Sequence, residues 1–409
     1  MSSTRRSGGA ATGPSAVDAG SVRAVNLARL LAAALDSPAP ATRADLALRT
    51  GTSRATASRL VDELVAHRVL SETEPERARR PGRPGIPLVA GDRFLALGLQ
   101  VDVGGLGVVL VDLTGTVRAR RQVDADLRGA DPAATLARLG GLAAATLTGL
   151  PDGATVVGAG LAVPGIVDTT GTLLRAPNLG WSGVDVAALL PALPGVPTPT
   201  VGNEADLAAA TVSFLAPGRP GPLRDFVYLS GSTGIGGSIV LDGHPLRGRH
   251  GWAGEVGHVT VDPAGPPCAC GSTGCLEQYA GARALAAAAG LPPGSGPGEL
   301  VAAAEAGDDA ARRALDRAGE ALGVALAAVV NVVDVPVIVL GGHLRGVAEQ
   351  LRATLEDTLT RRVLSAGWVP PVVELAPDGT TAAVGAAYRE LHRLVDDPAA
   401  WLTTPSPAL

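Results

Sequence analysis

The strongest chemical signal in this sequence comes from four side chains in one short stretch. Between Gly254 and Glu277 lie Cys268, Cys270 and Cys275, the only cysteines of the 409-residue chain, and His258 precedes them by ten positions. A disulfide would be unusual in a reducing compartment and would leave one thiol over. Three thiolates and one imidazole instead complete the tetrahedral shell of a zinc ion. Gly271 and Gly274 let the chain turn around it. Four protein ligands leave no open position, so the pattern predicts structural Zn2+ and not a Lewis acid. Incidental buried cysteines are the plainer alternative.

A second constellation is rich in carboxylates. Glu255 and Glu277 flank the metal ligands, so a metal knot would fix both beside His258. Asn203 and Glu204 stand at the end of an expected strand in the segment from Val201 to Asp206. Converging carboxylates and amides suit a polyhydroxylated ligand, because each hydroxyl offers both a donor and an acceptor.

A third set is basic. All 34 basic residues are Arg, which excludes a Walker-type phosphate-binding Lys and a Schiff-base Lys. The formal net charge of −5 hides an asymmetry. Residues 1–90 hold 13 Arg against 8 acids, and the remaining 319 hold 21 against 31. A basic segment on an acidic body points to nucleic acid at one end only.

The elements that would position these groups can be read from periodicity. Residues 1–20 read as a disordered tail. Val25, Leu27, Leu30, Leu31 and Leu35 then place an apolar face on a helix that stops at Ser37-Pro38. A short helix over Thr42–Thr50, a turn at Gly51 and a third helix from Arg54 to about His67, with Ser53 as its N-cap, form a helix-turn-helix. On the third helix Ala57, Leu60, Val61 and Leu64 would pack inward. Arg54, Thr56, Ser58 and Arg59 stand near the end that a recognition helix points at base edges, with Ser53 and Arg43 beside them. A strand at Val69–Ser71, a basic loop and a strand at Ile86–Leu88 would form a wing, whose Arg79, Arg80 and Arg83 suit a narrow minor groove. The expected DNA-binding domain thus spans residues 21–90.

Beyond it the chain alternates strands and helices. Phe94–Val101, Gly107–Asp112, Val156–Ala162, Val227–Ser230, Ser238–Leu241 and Val337–Leu340 read as strands, and Ala134–Leu147 as a helix. Two glycine-turn hairpins suggest two related lobes. With only ten aromatic residues the core must be built from Ala, Val and Leu. The most apolar stretch, Ala321 to Leu340, is broken by Asn331, Asp334 and Pro336 and reads as a buried helix and strand, not a membrane span. Met1 to Ser21 has no apolar core of a secretory signal, so a cytoplasmic location is expected.

Taken together, these segments resemble the ROK proteins (repressors, open reading frames and kinases), in particular the transcriptional repressors of the xylose-repressor type that carry an added DNA-binding head. The resemblance runs from about Ser21 to Pro398. It is carried by Asp102–Gly105, Val163–Asp168, Asn178–Trp181, Asn203–Asp206, Thr233–Gly237, Gly254–His258, Cys268–Cys275 and Gly385–Ala387. It implies an α/β chain with a winged helix-turn-helix followed by a two-lobed, actin-like ATPase fold over residues 91–398. Lobe 1 would cover about 91–202 plus the C-terminal helix and lobe 2 about 203–384, with 399–409 as a tail. The resemblance also implies a sugar held by Asn203, Glu204, Glu255, His258 and Glu277, and zinc held by His258, Cys268, Cys270 and Cys275. Loops with Asp102, Gly104, Gly105, Thr233, Gly234, Gly236 and Gly237 would face ATP phosphates.

Several residues depart from the kinase pattern. Glu204 stands where kinase members have the Asp base, one methylene longer, and misplacement near 1 Å can cost roughly 10²-fold in rate. Leu106 replaces a Thr in the first phosphate loop, and Ser232 and Ser238 replace glycines of the second. The expected protein is therefore a sugar-responsive repressor of carbohydrate-utilisation genes with a degenerate kinase cleft and no catalytic residue. It would bind double-stranded operator DNA as a homodimer or higher oligomer. The alternative is an ATP-dependent sugar kinase with a regulatory DNA-binding head.

Overall fold

The computed structural model describes residues 19–74 and 85–402. The expected wing arginines Arg79, Arg80 and Arg83, and the tails over 1–18 and 403–409, lie outside the described residues.

The head begins with α1 (Ala19–Leu35), α2 (Arg43–Thr50) and α3 (Arg54–Ala66), followed by strands β1 (Leu70–Glu72) and β2 (Pro87–Ala90). Sequence sets each boundary. Thr42 and Asp45 form a reciprocal capping box at the start of α2, Gly51 ends it in the left-handed conformation (φ 67°), and the Ser53 hydroxyl accepts the Thr56 N–H. The strands β1 and β2 pair antiparallel, and β2 also pairs with Ala41–Thr42, which gives the winged form. Leu27, Leu30 and Leu31 of α1 are fully buried, each contributing roughly 1.5–3 kcal/mol. Val25 departs from the expected apolar face: it is 52% exposed.

Lobe 1 is built on β3 (Phe94–Asp102), β4 (Gly105–Asp112), β5 (Val117–Asp124), α4 (Pro132–Leu147), β6 (Thr155–Val163), β7 (Thr200–Asn203) and α5 (Glu204–Ser213). Its sheet runs β7-β6-β3-β4-β5, with β3, β4 and β5 antiparallel neighbours and β6 and β7 added in parallel. Lobe 2 uses β8 (Phe226–Gly231), β9 (Ile235–Leu241), α6 (Asp309–Val333), β10 (Val337–Gly341), α7 (Gly342–Arg362) and β11 (Val372–Leu375). Its sheet repeats the plan: β9 and β8 are antiparallel, and β10 and β11 follow in parallel. The two hairpins turn at Asp102–Gly105 and Gly231–Ile235, so the expected duplication is real.

In lobe 2, α6 starts at the Asp308 cap, packs against α7 where Gly319 meets Leu351 and Thr354 and Gly323 meets Thr358, and presents buried Ala311, Ala314, Ala318, Ala321 and Ala325 along another side. Small side chains at helical spacing let a chain with few aromatics close its core by near approach of helices. The C-terminal helix α8 (Ala382–Asp396) returns to lobe 1 and lies across β3 and β6. It sits so close that a Cβ on Gly98 would stand 1.9 Å from the Ala383 carbonyl oxygen.

One apolar core joins the head to this arrangement. Leu30, Leu31, Leu60 and Leu64 of the head belong to the same cluster as Phe94, Val109, Leu391, Leu394 and Val395 of lobe 1 and α8. The expected tail at 399–409 begins differently. Ala399–Leu402 is helical, and Leu402 is buried against the same core, because its apolar side chain has a face of α1 to cover. Between the lobes lies a smaller seam, from Ala162 through Ala205, Leu207 and Ala208 of α5 to Phe226, Tyr228 and Val339. Among the described residues no helix is long and apolar enough to cross a membrane.

Candidate functional site

Helix α5 opens the cleft between the lobes. Its cap is Asn203, whose side-chain oxygen accepts the N–H groups of Ala205 (2.7 Å) and Asp206 (3.3 Å), while its amide donates to the Gly165 carbonyl at 2.9 Å. Asn203, Glu204, Glu255, His258 and Glu277 all line one pocket in the cleft, so the five expected sugar ligands do meet. Most of the Asn203 amide is already committed to holding α5. Glu277 is buried and accepts from Asn178 Nδ2 (3.2 Å) and the Ile235 N–H (3.3 Å). Its carboxylate passes so near the chain that a Cβ on Gly234 would stand 1.9 Å from Oε2. Asn178 is thus a site residue that the sequence pattern alone does not single out. Its place in the segment Asn178–Trp181 was the available signal.

Carboxyl groups crowd this cleft. Burial, together with Asp102 and Glu255, pushes Glu204 well above the ordinary carboxylate range. Burial also raises Glu255, with Asp206 and Glu277 adding to it and His258 opposing. Asp102 is raised by burial against hydrogen bonds from the Val103 N–H and the Ser232 hydroxyl. A carboxyl that keeps its proton both donates and accepts, which matches a ligand hydroxyl.

Glu204 also borders a second cavity of about 410 Å³ on the opposite side, walled by Gln100, Asp102, Gly104, Gly105, Gly231 and Gly342. The glycines of the first loop, Gly104 and Gly105, line this cavity, and those of the second do not. Ser232 borders both cavities, whereas Gly234, Gly236 and Gly237 line only the pocket of Asn203 and Glu255, and Thr233 is in the wall of neither. The reason is the hairpin: the Ser232 N–H closes a tight turn on the Gly234 carbonyl, and β9 then carries the glycines back past α5. Ser238 is fully buried and donates to Asp206 at 2.7 Å, whereas Leu106, 1% exposed and part of the lobe 1 core, also lines the second cavity beside Gly104 and Gly105.

The candidate metal ligands converge. His258 ends a short 3-10 turn, and the loop after it folds back through the Cys268 N–H to Ser272 and the Leu276 N–H to Val259. The four ligand atoms lie within 4.8 Å of one another. Cys270 and Cys275 Sγ are 3.7 Å apart, and Cys268 Sγ is 3.8 Å from His258 Nδ1. A tetrahedral ion with sulfur at about 2.3 Å sets sulfur–sulfur spacings of about 3.8 Å, so the cluster fits a four-coordinate metal. Burial and the neighbouring thiols push Cys275 up to about 12, a cost that a bound cation would remove. With Nδ1 turned to the thiols, His258 still borders the pocket of Asn203 and Glu204.

On the head, Arg54 and Arg59 are exposed with no hydrogen-bond or ion-pair partner among the described residues, and Thr56 and Ser58 lie half-buried between them. Ser53 is occupied as the cap, 2.9 Å from the Thr56 hydroxyl. Arg43 pairs with Asp62 (2.7 Å) and Glu72, so it ties α2 to α3 and β1.

Comparison with known proteins decides the family. The pattern that defines the ROK family matches residues 98–390. The chain belongs to the ROK family. This ROK chain is 28% identical over 327 residues to the xylose repressor of Caldicellulosiruptor bescii, covering 76% of this chain and 81% of the relative. Its fold is similar to the crystal structure of a ROK family transcriptional regulator, a homologue of the Escherichia coli MLC protein. That match has a TM-score of 0.74 at 25% identity and covers 92% of this chain and 97% of the regulator. A ROK family glucokinase from Streptomyces griseus, solved with glucose and AMPPNP, matches at TM-score 0.58 and 28% identity. It covers 72% of this chain and 98% of the kinase.

Proposed function

We propose that this ROK protein is a sugar-responsive DNA-binding repressor of carbohydrate-utilisation genes. The observation that carries the reading is the union of a winged head with the sugar-side cleft. The head shares a core with α8, α8 packs on α5, and α5 starts at the cleft residues Asn203 and Glu204. The kinase relative matches almost its full length yet leaves more than a quarter of this chain uncovered, whereas the regulator covers 92%.

In this reading a monosaccharide occupies the pocket among Glu204, Glu255, His258 and Glu277. It shifts the balance between open and closed lobes by its differential affinity for the two states. The metal is Zn2+ held by His258, Cys268, Cys270 and Cys275, and it supplies rigidity to the loop that presents Glu255 and Glu277. The exposed Arg54 and Arg59 read base edges, and a symmetric dimer places two such helices about 34–36 Å apart, or a multiple of that, on a palindromic operator. The cleft does not turn over, because Glu204 is one methylene too long for the base position and is buried beside Asp102 and Glu255.

The test has two arms. Thermal-shift screening of the purified chain against xylose and other monosaccharides, followed by gel shift on its own upstream region, should find a sugar that changes operator affinity. A coupled ADP-release assay with the same sugars should show no turnover. Robust phosphorylation would establish the kinase alternative instead.

A further inference from the structure

Behind α5, on the face away from the cleft, the structure holds a cavity of about 480 Å³. Of the residues assigned above to ligand, metal or DNA, only Asn203 borders it. Its walls come from every moving part. Asp206, Leu207 and Ala210 come from α5, and Arg389, His392 and Arg393 from α8. Arg224, His244 and Arg247 come from lobe 2, and Ala32 from the head helix α1.

The charge balance of these walls favours a negative occupant. Four guanidinium groups line the cavity against three carboxylates, Asp168, Asp206 and Asp396, while burial pulls the His392 imidazole down to about 4 and so keeps it neutral. The carboxylates are already engaged by donors or disfavoured by burial, although the Thr170 and Thr172 donors hold Asp168 ionised below its usual range. Asp168 accepts three hydrogen bonds from Thr170 and Thr172, Asp206 accepts from Ser238, and burial disfavours ionisation of Asp206 and Asp396. The cations differ in how far they are spoken for. Arg389 donates to the Thr200 and Val201 carbonyls, Arg393 to Glu390, and Arg224 to the Asp242 carbonyl while lying 5.9 Å over the Phe214 ring. The Arg247 guanidinium has no hydrogen-bond or ion-pair partner among the described residues, only its carbonyl being engaged, by the Ala253 N–H. The remaining wall is apolar, formed by Leu207, Ala210, Phe214, Pro245 and Val395.

We propose that this cavity is a second effector site, which takes an amphiphilic organic oxyanion: a carboxylate or phosphate on an apolar or ring-bearing frame. Arg247 holds the oxyanion, with Arg393 and Arg224 within the same walls. A guanidinium fork matches either group, and the frame lies against Phe214 and Leu207. The cavity shares α5 with the sugar-side cleft and reaches the head at Ala32. An occupant therefore bridges lobe 2, α8 and the head, and it biases the same lobe movement from the opposite side.

Isothermal titration of the full-length protein tests this independently of any sugar or operator. The probes are phenyl phosphate and benzoate, with benzyl alcohol as the neutral control. Saturable binding of at least one anion, and none of the alcohol, is expected; which anion binds identifies the preferred headgroup. Arg247→Ala, an exposed position, should weaken binding at least about tenfold, and Ala210→Phe should abolish it by filling the space. Glu255→Gln, across α5 in the cleft, should leave anion affinity unchanged. Failure of both anions to bind at millimolar concentration overturns the proposal, as does equal binding by Arg247→Ala and wild type. If binding is lost in Glu255→Gln but kept in Arg247→Ala, the anion sits in the cleft and the proposal fails.

Discussion

The two lobes share one strand plan but differ in what they are attached to. Lobe 2 keeps its own core, from Leu229 and Val256 to the alanine-lined α6 and to α7, and it carries the metal loop. Lobe 1 does not end at its sheet: through α8 its core runs on into the head. Between them lies the narrow seam of α5. The difference teaches where movement can be read out. Under the proposed lobe movement the head would go with lobe 1 and the loop from His258 to Cys275 with lobe 2, and a ligand between Glu204 and Glu255 would touch both.

Four experiments break or sharpen that contrast. The largest effect is expected at the metal loop. Cys275→Ala should reduce bound zinc from about one ion per chain to nearly none, since a structural zinc site contributes folding energy outright. Metal analysis beside a thermal melt reads this, and a variant that keeps its zinc would show that the cluster is not the ligand set. Next, Leu391→Ala removes a fully buried side chain from the shared core and should cost about 2–5 kcal/mol. Hydrogen exchange should then show head and lobe 1 losing protection together while α6 and α7 keep theirs. Loss confined to the head would mean that the core is continuous but not cooperative.

A smaller effect is expected at Arg59. Arg59→Ala should weaken binding to the cognate operator by about 1–3 kcal/mol and leave the melting temperature and sugar binding unchanged. Gel shift measures the first and calorimetry the others. The smallest concerns Glu204. Its folded pKa is raised above the ordinary 4.5, so the folded state binds the proton more tightly than the unfolded chain does. That contribution is fully present below about 4.5 and is lost as pH rises through the folded value. Glu204→Gln should therefore melt higher than wild type at alkaline pH and equal to it in acid. A difference that does not vary with pH would place Glu204 in contact with solvent.

Local signals made much of this legible. The capping box at Thr42 and Asp45, the turn at Gly51 and the Ser53 cap are chemistry between near neighbours, and the head follows from them. The Cys–His cluster was legible for the same reason, with its three thiols within eight residues. What the sequence could not show depends on which side of an element a residue faces. Glycine spacing alone did not reveal that Gly236 and Gly237 turn to the sugar side of the hairpin, or that Ser238 serves α5. The cavity behind α5 was invisible because Ala32, Asp206, Arg247 and Arg389 meet only after the chain has folded back on itself. Val25 and Leu402 erred in opposite directions, since hydrophobicity does not say whether a partner surface exists.

The closure of α1 by α8 and Leu402 has a bearing on biosynthesis. Helix α1 meets part of its packing surface in residues more than 350 positions later in the sequence, which a growing chain makes long after α1 itself. A chain cut short before that point leaves the face of α1 that Leu394 and Leu402 cover without its lid, exposed to proteases and to non-native contacts. The head is thus packed to completion only once α8 and Leu402 have been made.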